Sequence, residues 1–124
     1  MAGTSPAMTA MATIYKILPQ SLWQDAVRDG VFRGSDVDKR DGYIHFSTAA
    51  QVKETAEKHF AGQRDLLLIQ VNAETLGGKL KWEPSRGGAL FPHYYGELDP
   101  RAVSRVDLLP LGPDGRHKFP ELPA

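Results

Sequence analysis

Apolar positions along the chain follow two different periods, and the switches between them mark out the elements. Thr13-Ile14-Tyr15-Lys16-Ile17-Leu18 is β-branched and aromatic and is followed by Pro19, which predicts a strand that stops there. Ser21 and Gln24 have capping-box spacing, and Leu22, Trp23, Ala26 and Val27 share one helical face before Gly30, so a helix follows. The charged segment from Arg33 to Gly42 is broken by glycine and predicts a surface loop long enough to act as a lid. Tyr43 to Ser47 alternates strictly. Ile44 and Phe46 take one face of this predicted strand, and Tyr43, His45 and Ser47 take the other.

Thr48 and Gln51 repeat the capping-box spacing, and Ala49, Val52, Ala56 and Phe60 carry a second amphipathic helix toward Gly62. Asp65 to Val71 is built on the apolar run Leu66 to Ile69 and closes on Val71, the pattern of a central strand buried on both faces. After Gly77-Gly78, Leu80 and Trp82 alternate with Lys81 and Glu83, which turns the Glu83 carboxylate away from the core face. A glycine-rich loop leads to His93-Tyr94-Tyr95, Asp99-Pro100 predicts a helical turn, and Val103 to Leu109 reads as a last strand. Two early helices and a run of later strands predict an α+β fold with a mixed, largely antiparallel sheet and two main helices. Residues 1–12 are expected to be a flexible tail, 13–111 a single domain and 112–124 an irregular C-terminal tail.

Composition narrows the picture. The 15 Lys and Arg balance 15 Asp and Glu, so no overall field draws the chain to nucleic acid or to an anionic membrane. With no cysteine, disulfides, thiolate metal sites and thiol nucleophiles are all excluded. The longest apolar run, Leu66 to Ile69, is far short of a membrane span, and the N-terminus lacks the order of a signal peptide, so a cytoplasmic protein is expected.

No phosphate-loop or dinucleotide glycine fingerprint is present. His45, His59, His93 and His117 are too far apart for a helical two-histidine motif, and no metal is expected. His45 and Ser47 share a strand face and could form a base and nucleophile, but nothing in the sequence identifies an acid to orient His45. The string Asp41 to Thr48 runs a strand into a helix N-terminus, which suits an anion or a ligand oxygen; the plain alternative is that Thr48 only caps the helix. Glu83 and Lys16 likewise have plain readings as surface charges. Phe91-Pro92-His93-Tyr94-Tyr95-Gly96 is different, because rings between proline and glycine make a natural pocket wall.

Taken together, Ile14-Tyr15-Lys16-Ile17, Gly42 to Ala49, Lys81-Trp82-Glu83 and Phe91 to Gly96 resemble the bacterial domain-of-unknown-function family 952, over roughly Thr13 to Leu109. That resemblance implies a fold grouped with ADP-ribosyltransferases, with NAD or a related nucleotide in a central cleft and transfer or removal of ADP-ribose as the reaction. On this reading Glu83 and His45 are catalytic. Glu83 would stabilise the oxocarbenium-like charge on the sugar. Lys16, Tyr43, Ser47, Thr48, His93 and Tyr94 would hold the cofactor: Lys16 at an oxygen or phosphate, Ser47 at the ribose, Tyr43 or Tyr94 stacked on a ring. Lys16 stands where the family commonly carries histidine, and a flexible ammonium does not reproduce imidazole donor geometry. Two alternatives from other classes are a non-catalytic module that binds a small ligand or a protein, and a hydrolase using His45, which needs a carboxylate within its reach.

Overall fold

The structure, a computed structural model, describes residues 12–124. Residues 1–11, most of the expected flexible tail, lie outside the described residues. The chain forms strand β1 (Thr13–Pro19), helix α1 (Gln20–Asp29), helix α2 (Asp36–Asp41), strands β2 (Ile44–His45) and β3 (Ser47–Thr48), and helix α3 (Val52–His59). Strands β4 (Leu66–Asn72), β5 (Leu80–Pro84), β6 (Leu90–Tyr94) and β7 (Val103–Leu108) follow, with short 3₁₀ turns before β5, β6 and β7.

The strands make two sheets, one ordered β3-β1-β4-β7 and the other β2-β6-β5, and every pairing between strands is antiparallel. This is the α+β, largely antiparallel architecture that the sequence pattern predicts. The predicted central strand is β4, flanked by β1 and β7 and apolar on both faces. One face of the larger sheet presents Ile14, Leu18, Leu67, Ile69 and Val71 to Trp23 and Ala26 of α1, with Ile44, Phe46, Phe32 and Leu98 closing the layer. The other face presents Tyr15, Ile17, Leu66 and Leu68 to Val52 and Ala56 of α3 and to Leu109, with Phe119 and Leu122 of the C-terminal segment packed against them. Apolar burial of this kind contributes about 1.5–3 kcal/mol per large side chain, and here it is spread over both faces of one sheet.

Several local expectations need correction. The segment read as a surface loop contains α2, capped by Ser35: its hydroxyl accepts from the Asp38 N–H, and the Asp38 carboxylate accepts from the Ser35 N–H. Neither expected capping box starts a helix. Pro19 precedes α1 without any side-chain cap, and α3 begins only at Val52, with the Gln51 side chain accepting from the Thr48 N–H. The single strand predicted over Tyr43 to Ser47 is broken at Phe46 into β2 and β3, which join different sheets. Phe46 spans the break, its N–H donating to the Pro92 carbonyl at 3.0 Å.

Candidate active site

The break at Phe46 creates the site. β3 pairs with β1 only at Ile14 and Tyr15, so beyond Tyr15 that edge of β1 has no strand beside it. A cavity of about 870 Å³ opens there, walled by Lys16 and Ile17 of β1, by residues of α1, α2 and α3, by His45 and Ser47, and by His93 of β6.

Two imidazoles stand at this wall, His45 and His93, each paired with a carboxylate; Asp38 also lines the cavity and Glu83 does not. In the first pair, His45 Nδ1 lies 2.6 Å from Asp38 Oδ1. Asp38 is the centre of a network, since its carboxylate also accepts from Lys16 Nζ at 3.0 Å and from the His45 and Ser35 N–H groups. Burial pushes the Asp38 carboxyl upward, but the hydrogen bond from His45, the Lys16 charge and the Ser35 N–H outweigh it and hold the group well below the ordinary aspartate range. Burial lowers the Lys16 ammonium, against the opposing pull of Asp38. The second nitrogen of His45, Nε2, lies 3.0 Å from Asp41 Oδ2 at the end of α2.

In the second pair, His93 Nδ1 lies 2.8 Å from Glu83 Oε1 across the β5–β6 pairing, and the Tyr95 hydroxyl donates to the same oxygen at 2.8 Å. Those two bonds, His93 first, lower the Glu83 carboxyl. Tyr43 joins the pairs. Its ring stacks on His93 with centroids 4.1 Å apart and tilts against His45 at 4.6 Å, while the two imidazoles themselves are 5.5 Å apart. Burial raises the Tyr43 phenol, helped by the Asp41, Glu83 and Asp38 charges, so it stays neutral among the carboxylates.

Of the residues singled out from sequence, His45, His93, Tyr43 and Glu83 form this cluster, with Ser47 and Lys16 at the cavity wall. Ser47 Oγ is 3.0 Å from Thr55 Oγ1, and no hydrogen bond joins it to His45 among the described residues. The plain surface reading of Lys16 fails: its ammonium is buried, spent on Asp38 and on the His45 carbonyl at 2.9 Å. It therefore meets oxygens of its own chain where a ligand oxygen or phosphate was expected. Thr48 does not line the cavity; its backbone pairs in β3 and with the Gln51 side chain. Tyr94 packs against the apolar layer on the opposite side of β6, and its neighbour Tyr95 reaches Glu83 and Tyr43 instead. Asp38 was not singled out, and Asp41 and Tyr95 stood only inside the strings 41–48 and 91–96, with no role of their own. The Ser35-to-Asp38 spacing was the available signal for Asp38, because a capping carboxylate fixes its own backbone position.

No group of three or more histidine or acidic side chains among the described residues is arranged to hold a metal ion, and no helix among them is long and apolar enough to cross a membrane. The family model described as Protein of unknown function (DUF952) matches residues 17–106. The crystal structure of protein CC0527 from Caulobacter crescentus is 50% identical and superposes with a TM-score of 0.83, over 86% of this chain and 93% of that one. The solution structure of the same protein gives 51% identity and a TM-score of 0.77, over 84% and 90% of the two chains. No curated protein matches.

Proposed function

The chain belongs to the DUF952 family of proteins of unknown function, and from the geometry of its cavity we propose a small-molecule hydrolase that works by histidine acid–base catalysis. One observation carries this reading: two imidazoles at one cavity wall, each with Nδ1 held by its own carboxylate, at 2.6 Å and 2.8 Å. A carboxylate at Nδ1 fixes the tautomer and the ring plane, which is the positioning that proton transfer requires. His45 touches a carboxylate at both nitrogens, buried Asp38 at Nδ1 and the more exposed Asp41 at Nε2, so a leaving-group atom that takes the place of the Asp41 carboxylate meets the Nε2–H, and His45 is assigned as the proton donor. His93 has one such partner, and with Nδ1–H directed to Glu83 its Nε2 lone pair accepts a proton from water. The water oxygen then bonds to the electrophilic carbon or phosphorus, and the leaving group departs with the proton from His45. Asp38 and Glu83 are positioning residues. Ser47 has no nucleophilic role here, because its hydroxyl is engaged by Thr55.

The substrate is small and polar, and neutral or cationic. The cavity wall carries four carboxylates, Asp25, Asp36, Asp38 and Asp41, against two cations; Lys16 pairs with Asp38 and Arg40 with Asp41, which leaves Asp25 and Asp36 as the acidic excess. A polyphosphate would meet net repulsion there.

A second reading rests on Glu83. Both of its hydrogen bonds fall on Oε1, which leaves Oε2 for a ligand. That suits the ribosyl chemistry implied by the ADP-ribosyltransferase resemblance, with Glu83 stabilising an oxocarbenium-like sugar and NAD as the donor. The test is a panel of p-nitrophenyl acetate, the neutral triester diethyl p-nitrophenyl phosphate, p-nitrophenyl riboside and NAD, assayed with the wild type and with His45→Gln and His93→Gln. Turnover of one substrate, reduced about 100-fold or more in both variants, is the expected result. Turnover indifferent to both histidines would overturn the proposal; nicotinamide release from NAD that is lost in Glu83→Gln, while NAD still binds, would favour the second reading.

A further inference from the structure

At the far end of the larger sheet from the cavity, β7 is an edge strand with no strand on its outer side among the described residues. Its pairing with β4 sets which backbone groups face outward. The Leu109 N–H donates to the Leu66 carbonyl at 3.0 Å, and the register continues through Leu68↔Asp107 and Gln70↔Arg105. Antiparallel alternation therefore turns the backbone groups of Arg105 and Asp107 toward β4 and those of Val106 and Leu108 outward. Natural edges are usually blunted by lysine, proline or inward charge. This one carries Arg105 and Asp107 on one face, already paired with each other, and exposes Val106 (44%) and Leu108 (68%) on the other, beside its outward backbone groups.

We propose that β7 is where a second copy of this chain docks, the two edges pairing antiparallel about a two-fold axis at Val106. The charge order of the strand selects that partner and that register. Arg105 and Asp107 flank Val106 symmetrically and already pair within the strand at 2.8 Å. In the two-fold arrangement each Arg105 lies opposite an Asp107 of the other copy, at the closely spaced, non-hydrogen-bonded positions where cross-strand side chains interact most. Val106 meets its own counterpart on the axis, exchanging two backbone hydrogen bonds. A slip of two residues would centre the axis on Arg105 or on Asp107 and set like charges face to face, so the register is specified. On the other sheet face, Leu108 is covered by the segment of the second copy around Ser104. The bulge between Gln70 and Val71 bends the start of β7, which limits the pairing to about these residues. The two four-stranded sheets become one of eight strands, isologous as a two-fold interface requires.

Sedimentation equilibrium from micromolar to millimolar concentration tests this on the full chain, with circular dichroism as the check on folding. The wild type is expected at twice the 13.7 kDa chain mass at the upper concentrations. Val106→Lys sets two ammonium groups on the axis, and Arg105→Asp gathers four carboxylates, so each should weaken the dimer at least about tenfold. The swap of both charges, Arg105→Asp with Asp107→Arg, restores complementarity and should restore the dimer. A wild type that stays monomeric, a dimer untouched by a folded Arg105→Asp variant, or a swap that fails to rescue would each overturn the proposal.

Discussion

The two carboxylate–imidazole pairs on either side of Tyr43 share one design and are built from opposite materials. Asp38 is 2% exposed and brings its countercharge with it, the buried Lys16 ammonium, together with two backbone N–H donors. Glu83 is 35% exposed and is held by a neutral phenol from Tyr95. An orienting carboxylate inside the core must have every lone pair answered and its charge neutralised by the protein, so it becomes part of what keeps the chain folded. A carboxylate at the rim is answered partly by water, and it can position a ring without carrying stability.

The largest effect expected from this contrast is on unfolding. Asp38→Asn removes the anion and strands the Lys16 charge, which should cost about 3–5 kcal/mol in denaturant titrations. Adding Lys16→Met should recover part of the loss, because the unpaired charge is then gone. An equal loss from Glu83→Gln would break the comparison.

Acid should sharpen it next. The folded Asp38 carboxyl is depressed below its unfolded value, so its contribution is fully present above the ordinary aspartate range, about pH 4, and is lost as pH falls through the lower folded value. Thermal scans should show the gap between wild type and Asp38→Asn constant near neutrality and narrowing below about pH 4.

A smaller loss is expected at Gly34, whose φ of +112° and close approach both favour glycine: an added Cβ would stand 2.7 Å from the Asp38 Cβ. Gly34→Ala should cost about 1–3 kcal/mol by strain and should shift the His45 ring resonances while leaving those of His93 in place. Glu83→Gln should leave the melting temperature nearly unchanged yet shift the His93 ring nitrogens in NMR spectra and lower turnover. The mildest change is Tyr95→Phe. It removes the second of the two hydrogen bonds that lower Glu83, and carboxyl NMR titration should find that group moved partway back toward its ordinary value.

Legibility in the sequence differed sharply between these regions. β1, β4 and β7 were readable because a strand's burial is written in its period: Leu66 to Val71 is apolar but for Gln70 and lies in the middle, whereas Val103 to Leu108 is mixed and lies at the edge. The alternation of Tyr43, His45 and Ser47 against Ile44 and Phe46 is only partly kept: Ile44 and Phe46 join the apolar layer and His45 and Ser47 line the cavity, but Phe46 lines the cavity as well. Helix starts were poorly legible. Ser21 with Gln24 and Thr48 with Gln51 have the spacing of caps, but Pro19 and the turn at Gln51 decide where the helices begin. Asp38 was hidden for a related reason: α2 is six residues long and mostly polar, too short to show a period.

By itself, then, the sequence determined the α+β class, the central strand and the apolar layers, and it offered His45, His93 and Glu83 as candidates, because periodicity and residue type are local properties. Only the tertiary structure decided that the strand over Tyr43 to Ser47 breaks at Phe46, that the gap beside β1 becomes a cavity, and that Lys16, Asp38 and His45 meet although 29 residues separate the first from the last. Those outcomes depend on which buried charge finds which partner, and that is settled by desolvation and geometry across the whole fold.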